Sequence, residues 1–176
     1  MSTLPVVREL RPAIAGRADD CVTLTYDERF LRRKRLVTDG GLAFLLDLPK
    51  TTSLNEGDVL CLEDGLTIRV KAADEPLLEV SGPDLPRIAW HIGNRHTPCQ
   101  IDARRLLIQR DHVMRDMLEK IGATVAEVTE PFTPEGGAYG HGRTHGHSHG
   151  HDHEHGHDHD HGHGHHHHGH DHDHAH

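Results

Sequence analysis

Aromatic side chains are scarce in this chain, with one Trp, two Tyr and three Phe among 176 residues. A basic excess is also missing: Lys and Arg number 19 against 28 Asp and Glu, and the formal net charge is -9. Nucleic-acid binders need a positive footprint and stacking rings, so that class is set aside. Cysteine is limited to Cys21, Cys61 and Cys99, odd in number and without C-x-x-C spacing, which argues against a disulfide framework or a cysteine zinc knuckle and leaves reduced thiols. There is no apolar run of about 18 residues, and "MSTLPVVRELRPAIAGRADD" has no apolar core behind a basic start. The expectation is a soluble cytoplasmic protein without a membrane partner. G-x-S-x-G, a Gly-rich phosphate loop and H-E-x-x-H are all lacking, and so few aromatics do not furnish a prolyl-isomerase pocket, so no enzyme is expected.

What the chain has in abundance is histidine, and it is confined to one end. Nineteen of the 22 histidines lie in residues 141–176, where Ala175 is the only apolar side chain. Such a segment cannot bury a core and is expected to be a disordered tail. The remainder, about 140 residues, suits one ordinary domain or two small ones that lean on each other or on a second chain.

The body reads as β-rich and then mixed. "VTLTY" (22–26) alternates at period two, Asp39-Gly40-Gly41 separates two strand-like runs, and Asp64-Gly65 does the same in "VLCLEDGLTIRV". The expectation is a β domain over 1–73, with Arg32, Arg33, Lys34 and Arg35 on a solvated strand face. Beyond "LLEVSG", Leu85, Ile88, Ala89 and Ile92 share a helical face, with Pro83 in its first turn and Gly93 at its end. "CQIDARRLLIQR" holds two short strands. Asp111 then caps a helix whose Val113, Met114, Met117, Leu118 and Ile121 share a face and which stops at Gly122, before a last strand in "ATVAEV". The order β-α-β-β-α-β is the ferredoxin-like arrangement, an antiparallel sheet with both helices on one face, expected over 74–140. "PFTPEGGAYG" leads into the tail. The fold class is therefore α+β.

Neutral imidazole is a preferred ligand of nickel, copper and zinc, and its lone pair is free at pH 7 because its unperturbed pKa is about 6.5. The candidate tail ligands begin at His141, His145, His147, His149, His151, His153, His155, His157, His159 and His161. They continue through His163, His165, His166, His167, His168, His170, His172, His174 and His176. With roughly three to six donors per ion, the tail would hold on the order of three to six ions. Ordering a flexible chain around each ion costs entropy, which favours moderate affinity and fast exchange, the properties of a collector rather than a catalyst. An expression tag is normally one uninterrupted run, whereas the longest here is His165 to His168.

Outside the tail stand only His91, His96 and His112. His96 follows Gly93-Asn94 and precedes Pro98, so a turn should hold it exposed. One histidine does not fix a metal, and an exposed loop histidine is also ordinary polar surface. A two-fold dimer would bring two such rings across one axis.

The run "HIGNRHTPCQI", followed by "DHVMRDMLEKIG" and by "PFTPEGGAYG" leading into histidines, closely resembles the UreE urease accessory proteins, the nickel metallochaperones of urease maturation. The resemblance extends over essentially the whole chain, including "EGDVL" and the "DG" turns of the front half. It implies a homodimer with a peptide-binding-like N-terminal β domain and a ferredoxin-like metal-binding domain. It also implies that His96 of each of two chains holds one Ni2+ at the dimer interface. Delivery would be to the urease apoprotein with its accessory proteins, including the accessory GTPase. Imidazole sites should take Zn2+ and Cu2+ as well.

Two departures from the family pattern stand out. Arg110 occupies the position where some members have a second histidine beside the one in "DHV", which leaves His112 as a weaker candidate ligand. Cys99, where an aliphatic residue is usual, is either a soft additional ligand or a small buried hydrophobe. His91 reads as a surface residue or a support for a ligand. The competing function is a passive cytosolic nickel, zinc and copper buffer acting through the tail alone.

Overall fold

The structure is a computed structural model and describes residues 4–13 and 16–136. The tail histidines, from His141 to His176, lie outside the described residues. Seven strands precede the first helix, and the first six are β1 (Val7–Arg11), β2 (Asp20–Leu24), β3 (Phe30–Val37), β4 (Ala43–Ser53), β5 (Val59–Leu62) and β6 (Thr67–Ala72). One sheet has the order β1-β5-β6-β2, with β2 parallel to β6 and the other pairs antiparallel. The other two strands, β3 and β4, form an antiparallel ribbon whose inner residues Leu36, Phe44, Leu46 and Leu48 close over Val22, Leu60, Ile68 and Val70 of the sheet.

Two glycines make the ribbon's turn, each for a different reason. Gly41 takes the left-handed backbone (φ 94), whereas Gly40 supplies space: a Cβ there would stand 2.5 Å from Asp20 Oδ2. Of the two, only Gly41 uses the left-handed region. In β3, Leu31 and Leu36 are both buried although five positions apart, which strict alternation forbids. A register shift between Leu31 and Arg33 changes the parity and leaves Arg32 to Arg35 exposed.

Six further elements follow: β7 (Asp74–Ser81), α1 (Leu85–Gly93), β8 (Gln100–Ile101), β9 (Leu106–Gln109), α2 (His112–Lys120) and β10 (Thr124–Pro131). Their sheet has the order β10-β7-β9-β8, antiparallel throughout. Alternate residues of a strand face opposite sides, and here that divides the apolar residues between two cores. Leu78, Val80, Leu106 and Ile108 meet Ile88 and Ile92 of α1 and Met114 and Leu118 of α2, so both helices cover one face. Each such large side chain contributes about 1.5–3 kcal/mol by its burial. On the other face Leu77 and Leu107 meet Tyr26 and Phe132. That cluster joins the first set of strands to the second.

Two expectations about the helices need adjusting, those for Pro83 and Val113. Asp84 caps α1 by accepting from the Arg87 amide at 3.2 Å, so Pro83 lies outside the helix and Pro86 occupies its first turn. Val113, placed on the apolar face, is 55% exposed, and Met114 and Leu118 carry the burial. Gly93 is the last residue of α1 and does not take a left-handed backbone. Gly122 does (φ 91), with the Ala123 amide donating to the Leu118 carbonyl and the Gly122 amide to that of Glu119. This is a Schellman ending.

Candidate metal-binding turn

His96 sits at the tip of the turn that leaves α1. The Asn94, Arg95 and His96 amides donate to the carbonyls of Trp90 (2.9 Å), Ile92 (3.1 Å) and Gly93 (2.9 Å), winding the chain tightly past the helix end. To close the turn His96 adopts φ 55, the only positive φ at a non-glycine among the described residues. Left-handed backbone is uncommon for a residue with a Cβ, though histidine is among those that tolerate it better. Both sides of the turn are anchored. Ile92 is fully buried before it, and after it Thr97 Oγ1 contacts Met114 Sδ at 3.8 Å while the Cys99 carbonyl accepts from the Glu135 amide at 2.9 Å. The imidazole is thus exposed on a well-fixed backbone.

Of the other sequence candidates, His112 and Cys99 lie among the described residues, and they form no ligand group with His96. Among the described residues there is no group of three or more His, Cys, Asp or Glu side chains arranged to hold a metal ion. A nickel or zinc ion takes roughly four to six donors, so the remaining ligands of an ion at His96 must come from another chain, the tail or water.

The family model for the UreE urease accessory protein N-terminal domain matches residues 2–73, and that for the C-terminal domain matches residues 75–176. The chain belongs to the UreE family. A urease accessory protein UreE from Ruegeria pomeroyi is 68% identical over 143 residues, 81% of this chain and 96% of that protein. UreE of another Ruegeria strain is 69% identical over 126 residues, 72% of each chain. The Cereibacter sphaeroides protein is 58% identical over 146 residues, 82% of this chain and 80% of its own length.

The surroundings of the weaker candidates in this UreE are specific. His112 is exposed at the first position of α2, next to Asp111, whose carboxylate is engaged in capping the helix by accepting from the Met114 amide at 2.9 Å. Arg110 donates to the Leu77 and Val128 carbonyls at 3.4 and 3.3 Å and pairs with Glu127 at 3.4 Å. Arg115 also reaches Glu127, at 3.4 Å. The residue that departs from the family pattern therefore ties β7 to β10 instead of donating to a metal.

Cys99 packs against the core beneath the helices, and burial, with Glu135 nearby, pushes its thiol up to about 11. A metal would have to displace that proton, so the surroundings favour the small-hydrophobe reading. His91 is half-buried in the last turn of α1, its ring nearly perpendicular to that of Trp90 at 5.1 Å between centroids.

Two features were not anticipated from sequence. The first is the left-handed backbone of His96 itself; "GNRH" offers Asn94 as the natural left-handed residue, yet Asn94 is right-handed with φ -63. The other is Arg105, which reaches Glu130 at 2.6 Å, Glu79 at 2.7 Å and Asp102 at 2.9 Å. No spacing rule links those four positions. Among the described residues no helix is long and apolar enough to cross a membrane.

Proposed function

We propose that this chain is a nickel metallochaperone that delivers Ni2+ to the urease apoprotein complex during urease maturation. It works in the cytoplasm, has no turnover of its own, and acts with the urease accessory proteins, including the accessory GTPase. The observation that carries this reading is the presentation of His96: an exposed donor on a fixed left-handed turn, with too few donors around it among the described residues. A homodimer that pairs two His96 rings around one ion completes such a site, and an open, ligand-poor site releases its cargo readily. Membership of the UreE family supports the urease context.

The β-α-β-β-α-β order and the strand order β10-β7-β9-β8 support a ferredoxin-like assignment of the second unit. The separate cores, one among strands alone and one of helices on a sheet, support a division into a peptide-binding-like β domain (1–73), a metal-binding and dimerisation domain (74–140) and a tail (141–176). In this reading the tail collects ions, including Zn2+ and Cu2+ where available, and His96 passes nickel on. His112 and Cys99 contribute little.

The test is a nickel titration by calorimetry with mass determination in the same buffer. It compares the full chain, a chain ending at Gly140, and each with His96→Ala. One ion per two short chains, lost with His96→Ala, is the expected result. Binding confined to the tail and indifferent to His96 would leave a passive buffer.

A further inference from the structure

The basic run of β3 is not used by the metal-binding turn. Arg32, Arg33, Lys34 and Arg35 are all exposed, and Lys50 stands exposed on β4. Among the described residues the one ion pair made by this group is Arg33 with Asp47, at 3.7 Å and largely in solvent. In a chain of net charge -9 this is a dense positive patch.

The end of the described chain lies at the foot of the same ribbon. Phe30 and Ser53 are cross-strand partners where β3 begins and β4 ends. Arg29, Ser53 and Asn55 line a cleft together with Glu135 and Gly136. The described chain therefore ends beside the ribbon, five residues before His141. Residues 141–176 carry six carboxylates and one arginine, a charge of -5 with histidines neutral. Asp152 is 16 residues past Gly136, a span of up to about 50 Å, while the eight residues of β3 extend about 27 Å. Reach is ample.

We propose that the β3–β4 ribbon is the docking surface of the chain's own metal-free tail, and that loading the tail with divalent metal releases it. Single exposed charge pairs are weak, but tethering beside the patch makes the encounter intramolecular, with a high effective concentration. Each divalent ion held by neutral imidazoles adds two positive charges, so about three ions turn -5 into +1 and attraction into repulsion. The empty tail is stored against the ribbon, and the loaded tail is free to exchange ions with His96. Docking stands on charge and position; release rests on the proposed metal binding by the tail.

The experiment is carbodiimide cross-linking of the full chain, which joins carboxylates to lysines in contact, with the products mapped by mass spectrometry. The chain has four lysines, Lys34, Lys50, Lys71 and Lys120. Metal-free protein should link Asp152, Glu154, Asp158 and Asp160 to Lys34 and Lys50 several-fold more than to Lys71 and Lys120. Nickel, counted as bound ions in the same sample, should erase that preference, and so should Arg32→Ser combined with Arg35→Ser, both at exposed positions. Links spread evenly over the four lysines, or joining isotopically light to heavy chains, would overturn docking of the chain's own tail; an acidic partner protein would then be the better occupant. A tail that loads and stays docked overturns the release alone. One that takes up no nickel overturns the release together with its role as a collector, and leaves the docking standing.

Discussion

The His96 amide donates to the Gly93 carbonyl at 2.9 Å, and His96 accepts a left-handed backbone (φ 55) to do so. The backbone and the imidazole therefore make separate demands on one position. His96→Gly removes the Cβ penalty at the cost of unfolded-state entropy, and should leave stability unchanged or raised by up to about 1 kcal/mol. His96→Val should lower it by about 1–2 kcal/mol. Chemical denaturation separates the two, and both variants should lose nickel binding by the chain that ends at Gly140.

Arg105 draws three carboxylates from β7, β10 and the loop between β8 and β9 to one guanidinium. Its charge is held more firmly than usual, chiefly by the hydrogen bonds to Glu130 and Glu79. Arg105→Met would leave Glu79, Glu130 and Asp102 facing one another without a cation. A loss of about 1–3 kcal/mol is expected. Urea melts of the two proteins side by side provide the check.

The Cys99 thiol, pushed up to about 11 by burial, stays protonated at pH 8, with about one molecule in a thousand as thiolate. Alkylation of the folded protein at pH 8 should therefore leave Cys99 largely unmodified, and Cys99→Ala should leave nickel affinity unchanged. The folded value lies above the ordinary 9.0, so the contribution to stability is present below about pH 9 and is lost as pH rises through about 11. Rapid labelling of Cys99 at pH 8 would contradict this.

Protonation takes the lone pair that an imidazole offers to a metal. Binding of nickel by the tail should weaken steeply below about pH 6. Titrations of the full chain at pH 7.5, 6.0 and 5.0 test this; affinity that persists at pH 5 would point to the tail carboxylates.

Much of the second unit was legible because its periodicities are clean. Ile88 and Ile92, and Met114 and Leu118, are spaced to face one core, and Asp111 and Gly122 mark the ends of α2. Less was legible where tertiary contacts decide. Strand β1 was not anticipated, and neither was the parallel pairing of β2 with β6, which depends on where distant strands settle rather than on local alternation. Val113 fits the helical face by spacing alone, but at the start of α2 the core no longer covers it. His96 could be singled out from "GNRH", and its exposure follows from the turn. Its backbone strain could not be read, because it arises from how the chain is pulled back between α1 and the Cys99–Glu135 contact.

That contact also makes the tail and the donor turn share a mechanical root. Reading back from Gly136, the Glu135 amide is fastened to the Cys99 carbonyl at 2.9 Å, the Thr133 amide to Gln100 Oε1 at 2.9 Å, and the Phe132 carbonyl to the Arg29 guanidinium at 2.6 Å. Traction on the histidine-rich end is met first three residues beyond His96, and only afterwards at the junction with the front strands. On the proposed reading, a receiving protein that grips the tail would thus also tug on the turn that presents His96.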